Sequence, residues 1–209
     1  MLLDPQTCRL VLVDYQARLM PHIDEASRVL GQARLLAQMA DALDVPIHVT
    51  EQTPDKLGET VEALQPWCDQ VLHKRHFNAC ADGLLDMLTP SAAAAPQRGG
   101  NARSLPKHLR KVAPPVEAPR DTVVIAGVEA HICLMQTALG LLEQELDVWV
   151  VTDASGSCQV RQRDAAWDRL ASAGAELVTA EMVAYEWLGD CDHFLFADAL
   201  NWVKAARQS

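Results

Sequence analysis

Apolar, β-branched runs alternate with stretches of helical period from one end of the chain to the other. Leu10-Val-Leu-Val13 is an unbroken apolar run, as a strand covered on both faces requires. Val29, Ala33, Leu36, Ala40 and Leu43 then recur at helical spacing and predict a helix. Pro46–Thr50 reads as a second strand, Gln70–His73 as a short third, and Ala79–Leu88 as a helix. Thr122–Ala126 is the fourth strand and Asp147–Val151 the fifth; a helix over Val160–Ala173 and a sixth strand over Ala175–Val178 follow. Ala180–Ala206 is mostly helical, with a break near Gly189. Strands separated by helices predict a six-stranded parallel sheet with helices on both faces, a three-layer α/β/α, Rossmann-like architecture.

Pro90–Pro119 departs from this rhythm. It holds six of the eleven prolines together with the Ala92–Ala95 run and Gly99-Gly100, which reads as a long flexible insertion. The insertion is cationic, with Arg98, Arg103, Lys107, Arg110 and Lys111 against Glu117 alone. Its composition fits a solvated loop, and also a lid or subunit contact that attracts anions.

Length bounds the rest. At 209 residues the chain builds one substantial α/β core and is too short for two ordinary domains, so a single domain over residues 1–209 is expected. The net charge of −10 argues against nucleic acid as a partner, because phosphate repels such a surface. No apolar run approaches the roughly 18 residues that span a bilayer, so no membrane association is expected. Met1-Leu-Leu-Asp-Pro-Gln6 has no basic segment followed by an apolar one, which makes the cytoplasm the expected location. The six cysteines contain no C-x-x-C pair and are scattered as thiols of a reducing compartment are. Cys8, Cys80, Cys158 and Cys191 read as small apolar side chains or inert thiols.

Cys133 stands apart. Gly127 breaks the fourth strand, and a helical stripe of Met135, Ala138, Leu139 and Leu142 begins just beyond the cysteine. A thiol in the first turn of that helix faces free N–H groups and the positive end of the helix dipole, so a depressed pKa is expected. In open parallel sheets ligands sit beyond the carboxyl ends of the strands. Asp14 follows the first strand and Lys74 the third, so a carboxylate, an ammonium and a thiol converge if those strands are close. That is the base, electrostatic stabiliser and nucleophile of acyl transfer. Singly, Asp14 also reads as a turn cap, Lys74 as a surface lysine and Cys133 as a packed apolar residue; their shared placement favours the chemistry.

The segments Leu12-Val-Asp-Tyr-Gln16, Thr50-Glu-Gln52 with Leu57-Gly58, Lys74-Arg-His-Phe-Asn78, Gly127-Val-Glu-Ala-His-Ile-Cys133, Val151-Thr-Asp-Ala154 and Glu181–Trp187 resemble the isochorismatase-like cysteine hydrolases. The resemblance covers nearly the whole chain outside the insertion. It implies a triad of Cys133, Asp14 and Lys74, and a cis peptide between Val128 and Glu129. It also implies an oxyanion hole made by the N–H groups of Glu129 and Cys133. Gln16, Gln52, Phe77 and His131 fall at pocket-lining positions. Isochorismatase proper does not use this nucleophilic cysteine, so Cys133 points away from vinyl-ether cleavage. The Asp-x-His metal motif of nicotinamidases is replaced by Thr50-Glu-Gln-Thr-Pro-Asp-Lys56, with His48 alone nearby, so neither metal nor cofactor is expected.

The expected activity is hydrolysis of a small-molecule amide or related C–N bond through a thioester. The alternatives are a catalytically silent relative serving as a binding or oligomeric scaffold, and a nucleotide- or flavin-binding domain. The last is disfavoured because Asp14-Tyr-Gln-Ala-Arg18 stands where a glycine-rich phosphate loop belongs. A homo-oligomer, dimer or higher, is expected, with Trp187 and Trp202 as surface residues that pack against a second copy.

Overall fold

Strand β1, Cys8–Val13, shows why its run of apolar residues is continuous. Cys8, Leu10 and Leu12 enter one core cluster, while Val11 and Val13 enter another on the opposite face of the sheet. Strand β4, Thr122–Gly127, divides the same way, with Val124 and Ala126 on one side and Val123 and Ile125 on the other. Side chains alternate along a strand, so a strand buried on both faces has no polar positions to spare.

The computed structural model describes residues 2–88 and 120–208. The insertion read at Pro90–Pro119 lies outside the described residues. The other strands are β2, Ile47–Gln52; β3, Val71–Lys74; β5, Asp147–Val151; and β6, Glu176–Val178. The six strands form one all-parallel sheet in the order β3-β2-β1-β4-β5-β6. Helices α1 (Ala26–Ala42), α6 (Ala180–Leu188) and α7 (Phe196–Ala206) supply Leu36, Val183, Trp187 and Val203 to the first cluster. The second is covered by α3 (Leu84–Leu88), α4 (Met135–Leu142) and α5 (Val160–Ser172), through Leu84, Leu141 and Leu170. A short α2, Pro54–Leu57, follows β2. No helix among the described residues is long and apolar enough to cross a membrane.

Two expectations need correction. The helix read over Ala79–Leu88 is broken: a 3-10 turn over Ala79–Asp82 ends at Gly83, in the left-handed region at φ 103°, before α3 begins. Glycine adopts that backbone conformation without steric cost, so it interrupts an otherwise helical pattern. Trp187 is a core residue, 3% exposed, because its face of α6 turns inward with Val183 and Ala184. It is therefore no surface contact for a second copy, whereas Trp202 is half-buried.

Register aligns the strand ends. Val13 of β1 is level with Thr50 of β2 on one side and with Gly127 of β4 on the other, and Gln52 of β2 is level with Lys74 of β3. The carboxyl ends of four adjacent strands thus open onto one rim.

Candidate active site

Asp14 takes over where β1 stops. Its φ of 55° turns the chain sharply out of the sheet, in a left-handed conformation that aspartate tolerates better than most residues. Its N–H donates to the Thr50 carbonyl at 3.1 Å, and its own carbonyl accepts from Gln16 N–H at 2.7 Å. The side chain is wholly buried and carries partners on both oxygens. Thr50 Oγ1 donates to Oδ1 at 2.6 Å, and Lys74 Nζ lies 2.7 Å from Oδ2. Neither ion-pair side chain is exposed to solvent. A buried charge is retained only when paired and hydrogen-bonded, and each end here meets that condition.

Lys74 closes β3 and reaches across the end of β2 to Asp14. Gln52, its register partner, accepts from Nζ at 2.7 Å, and the carbonyls of His76 and Phe77 lie 3.4 and 3.5 Å from the same nitrogen. The Gln52 amide nitrogen donates in turn to the Arg75 carbonyl at 2.7 Å. Gln16 accepts from Gln52 N–H at 2.8 Å and donates to the carbonyls of Gly58 at 2.6 Å and Gln52 at 3.2 Å. Its amide is therefore committed to the protein and fastens the end of β2 to the Gly58 turn.

Cys133 approaches from the other side. After β4 the Val128–Glu129 peptide is cis, and Ala130–Leu134 form a π-helical turn that runs into α4. The loop after β5 supports this turn residue by residue. Ser155 Oγ accepts from Gly127 N–H at 3.1 Å, and the Gly156 carbonyl accepts from Ala130 N–H at 2.7 Å. Ser157 Oγ lies 2.9 Å from His131 Nδ1, and Glu129 Oε2 accepts from Cys158 N–H at 2.9 Å. The charges of Asp14 and Lys74 both act on the Cys133 thiol. The sulfur, the carboxylate and the ammonium therefore share one buried cluster.

The chain matches the isochorismatase domain family over residues 105–182. It is also 31% identical over 189 residues to Isochorismatase domain-containing protein 2 of Xenopus laevis, covering 90% of this chain and 80% of that protein. This chain belongs to the isochorismatase family. Among solved structures, this family member resembles a MAR1 ribonuclease from Caenorhabditis elegans, with a TM-score of 0.78 and 28% identity over 98% of this chain and 93% of that one. It also resembles YcaC from Pseudomonas aeruginosa, solved with hexane-2,5-diol and covalent acrylamide, at a TM-score of 0.76 and 25% identity over 99% and 94% of the two chains.

The electrostatics of the isochorismatase-family site differ from the sequence reading in one respect. Burial, followed by the charge of Asp14, pushes the Cys133 thiol up to about 12, and Lys74 offsets only part of this. The expected depression at the mouth of a helix is overturned, because the residue is only 6% exposed and the charge of Asp14 acts on it. Burial and the neighbouring carboxylate both favour the protonated thiol.

Other site positions fall differently. Phe77 offers its carbonyl to Lys74 while its ring is 53% exposed. His131 is half-buried in the turn that carries Cys133, two residues before it. Thr50 and Ser155 were missed as site residues, as was Glu51, buried with its Oε1 accepting from Thr60 N–H and Oγ1 at 2.7 and 2.8 Å. The available signal was position: Thr50 and Glu51 sit in the polar tail of an otherwise apolar strand. A cavity of about 560 Å³ is lined by Glu51, Asp55, Glu59, His73, Lys74 and Arg75 among others, and Cys133 is not one of its lining residues. The Lys74 side chain itself has no exposure to solvent. Among the described residues no group of three or more His, Cys, Asp or Glu is placed to hold a metal. His48, the lone histidine near the nicotinamidase motif position, is buried on β2, and burial together with the Arg9 charge pushes its pKa down to about 4.

Proposed function

We propose that this isochorismatase-family protein is a cysteine hydrolase that cleaves a small amide or related C–N bond through a thioester. The observation that carries this reading is the meeting of the Cys133 thiol with the buried Asp14–Lys74 pair. Because the thiol rests protonated, Asp14 removes its proton as the sulfur attacks the carbonyl carbon, so base catalysis and attack coincide. The N–H groups of Glu129 and Cys133 hold the developing oxyanion; one such donor is worth about 3–4 kcal/mol of barrier. Lys74 keeps Asp14 oriented and offsets the negative charge that sulfur acquires. Collapse expels the amine, which takes the proton from Asp14. Water then adds to the thioester and gives a proton to Asp14, which returns it to sulfur as the acid leaves.

The covalent acrylamide of YcaC, an electrophile that adds to thiols, supports a nucleophilic site in a relative of the same fold. The likeness to a MAR1 ribonuclease raises RNA as a substrate, but a net charge of −10 repels a polyanion and favours a small molecule. We also read the protein as a homo-oligomer, since Phe194, 80% exposed, and Met182 and Tyr185 of α6 are large apolar side chains left open to solvent.

The deciding experiment assays ammonia or amine release from a panel of small amides, ureides and carbamates by the wild type and by Cys133→Ser. Release by the wild type alone, with an acyl adduct on Cys133 in intact-mass spectra, is expected. Equal release by both proteins, or none by either, overturns the reading.

A further inference from the structure

Thr50 is in contact with the candidate base and takes no part in the steps above. It holds Asp14 twice: its carbonyl accepts the Asp14 N–H at 3.1 Å, and its hydroxyl donates to Oδ1 at 2.6 Å. Both residues are wholly buried, and Asp14 is the partner of that hydroxyl. The titratable groups set against Asp14 come from two other elements, Lys74 from the end of β3 and Cys133 from the turn after β4. An ionised carboxylate offers about four lone-pair sites. Thr50 uses one of them on Oδ1 by hydrogen bond, and the Lys74 ammonium faces Oδ2 as an ion pair, so each oxygen is held from a different side.

We propose that Thr50 is a positioning residue for Asp14: its hydroxyl fixes the carboxylate in one orientation, against Lys74 and toward the Cys133 thiol. The proposal rests on the reading of Cys133 as nucleophile and adds a residue to it. The reason is geometric. Without that donor the carboxylate is free to turn away from Lys74 and from the thiol. The thiol then loses part of the neighbouring negative charge that raises it, and more of the sulfur stands as thiolate.

Thr50→Val keeps the shape of the buried side chain and removes only the donor, while Thr50→Ser restores it. The first measurement is alkylation of Cys133 by iodoacetamide between pH 6 and 10, followed by peptide mass spectrometry, which needs no substrate. Alkylation near pH 7.5 is expected to rise about tenfold in Thr50→Val, in line with loss of one charge-assisted hydrogen bond, and to stay within about twofold of wild type in Thr50→Ser. Where a substrate is in hand, kcat of Thr50→Val is expected to fall about tenfold, with KM within about twofold and kcat recovered in Thr50→Ser. A pH profile for Thr50→Val that overlays the wild type, or a Thr50→Ser that behaves as Thr50→Val, overturns the proposal. If Cys133 resists alkylation throughout, the crystal structure of Thr50→Val decides the positional claim: a carboxylate unmoved from Lys74 overturns it. Failure of the hydrolase reading shows separately, as a Cys133→Ser protein with wild-type turnover.

Discussion

Val13 and Gly127 face each other across the β1–β4 ladder so closely that a β-carbon on Gly127 would lie 2.4 Å from the Val13 carbonyl oxygen. The residues just beyond this contact are the proposed base and nucleophile: Asp14 follows Val13, and the turn leading to Cys133 follows Gly127. The close approach of the two strands sets how far apart they stand.

Gly127→Ala is therefore expected to push the two strand ends apart. Overpacking of this kind costs about 1–3 kcal/mol, and the obstructing atoms are the carbonyl oxygen, Cβ and Cα of Val13, none of which can swing aside without moving the backbone. Urea denaturation should show the loss of stability. Turnover should fall by more than the unfolded fraction accounts for, since a displacement of about 1 Å at a reacting centre costs on the order of a hundredfold. An alanine variant of wild-type stability and activity contradicts the close contact.

The resting thiol gives a pH signature. Only thiolate reacts with alkylating agents. With Cys133 pushed up to about 12, its alkylation in the wild type should climb about tenfold per pH unit from pH 7 to 10, without a plateau. Asp14 raises the thiol both by its charge and by accepting its hydrogen bond, second only to burial as a cause. Asp14→Asn should thus alkylate faster near neutrality while its turnover falls by a hundredfold or more, the range for loss of a general base. A variant that alkylates more slowly contradicts Asp14 as a group that raises the thiol, and one with wild-type turnover refutes the assignment of Asp14 as the base.

Lys74→Met leaves the Asp14 carboxylate buried without its cation. Breaking a buried pair from one side costs about 3–5 kcal/mol, whereas removing both charges is often close to neutral. The double variant Asp14→Asn with Lys74→Met is expected to recover most of the stability lost by Lys74→Met alone, read as Tm or as urea midpoint. Additive losses in the double variant contradict the coupling.

His48 links stability to acid. Its pKa is about 4 in the folded chain, lowered mainly by burial, against 6.5 when exposed. The unfolded chain binds the proton first as pH falls, so stability is lost between pH 6.5 and 4 and is fully retained above that window. The full effect is on the order of 3 kcal/mol. His48→Leu should flatten the acid limb of a stability–pH curve by a comparable amount and leave the curve above pH 7 parallel to wild type. An unchanged acid limb removes His48 as the cause.

The strands were legible because each is buried on both faces, which leaves a run such as Leu10–Val13 without a polar position. Asp14, Lys74 and the segment ending in Cys133 were legible because they follow such runs directly. What the sequence hid depends on who sits beside whom. Thr50 reads as the end of an apolar strand until the order β3-β2-β1-β4 places it against Asp14. Gln16 and Gln52 read as pocket walls until their hydrogen bonds are followed into the strand ends they hold. The ionisation of Cys133 was misjudged because a helix mouth is visible in sequence, whereas enclosure by Asp14 and the surrounding core is not. Gly83 and Trp187 each broke or reversed a pattern through a single backbone angle or helix face.

Lys74 is the last residue of a four-residue strand, and among the described residues that strand lies at the margin of the sheet. Strands at a margin are held from one side only and open well before the centre does. The cation of the proposed catalytic cluster is thus fastened to a marginal strand of the sheet rather than to its centre. Heat should silence the enzyme at temperatures where its interior still reads as folded.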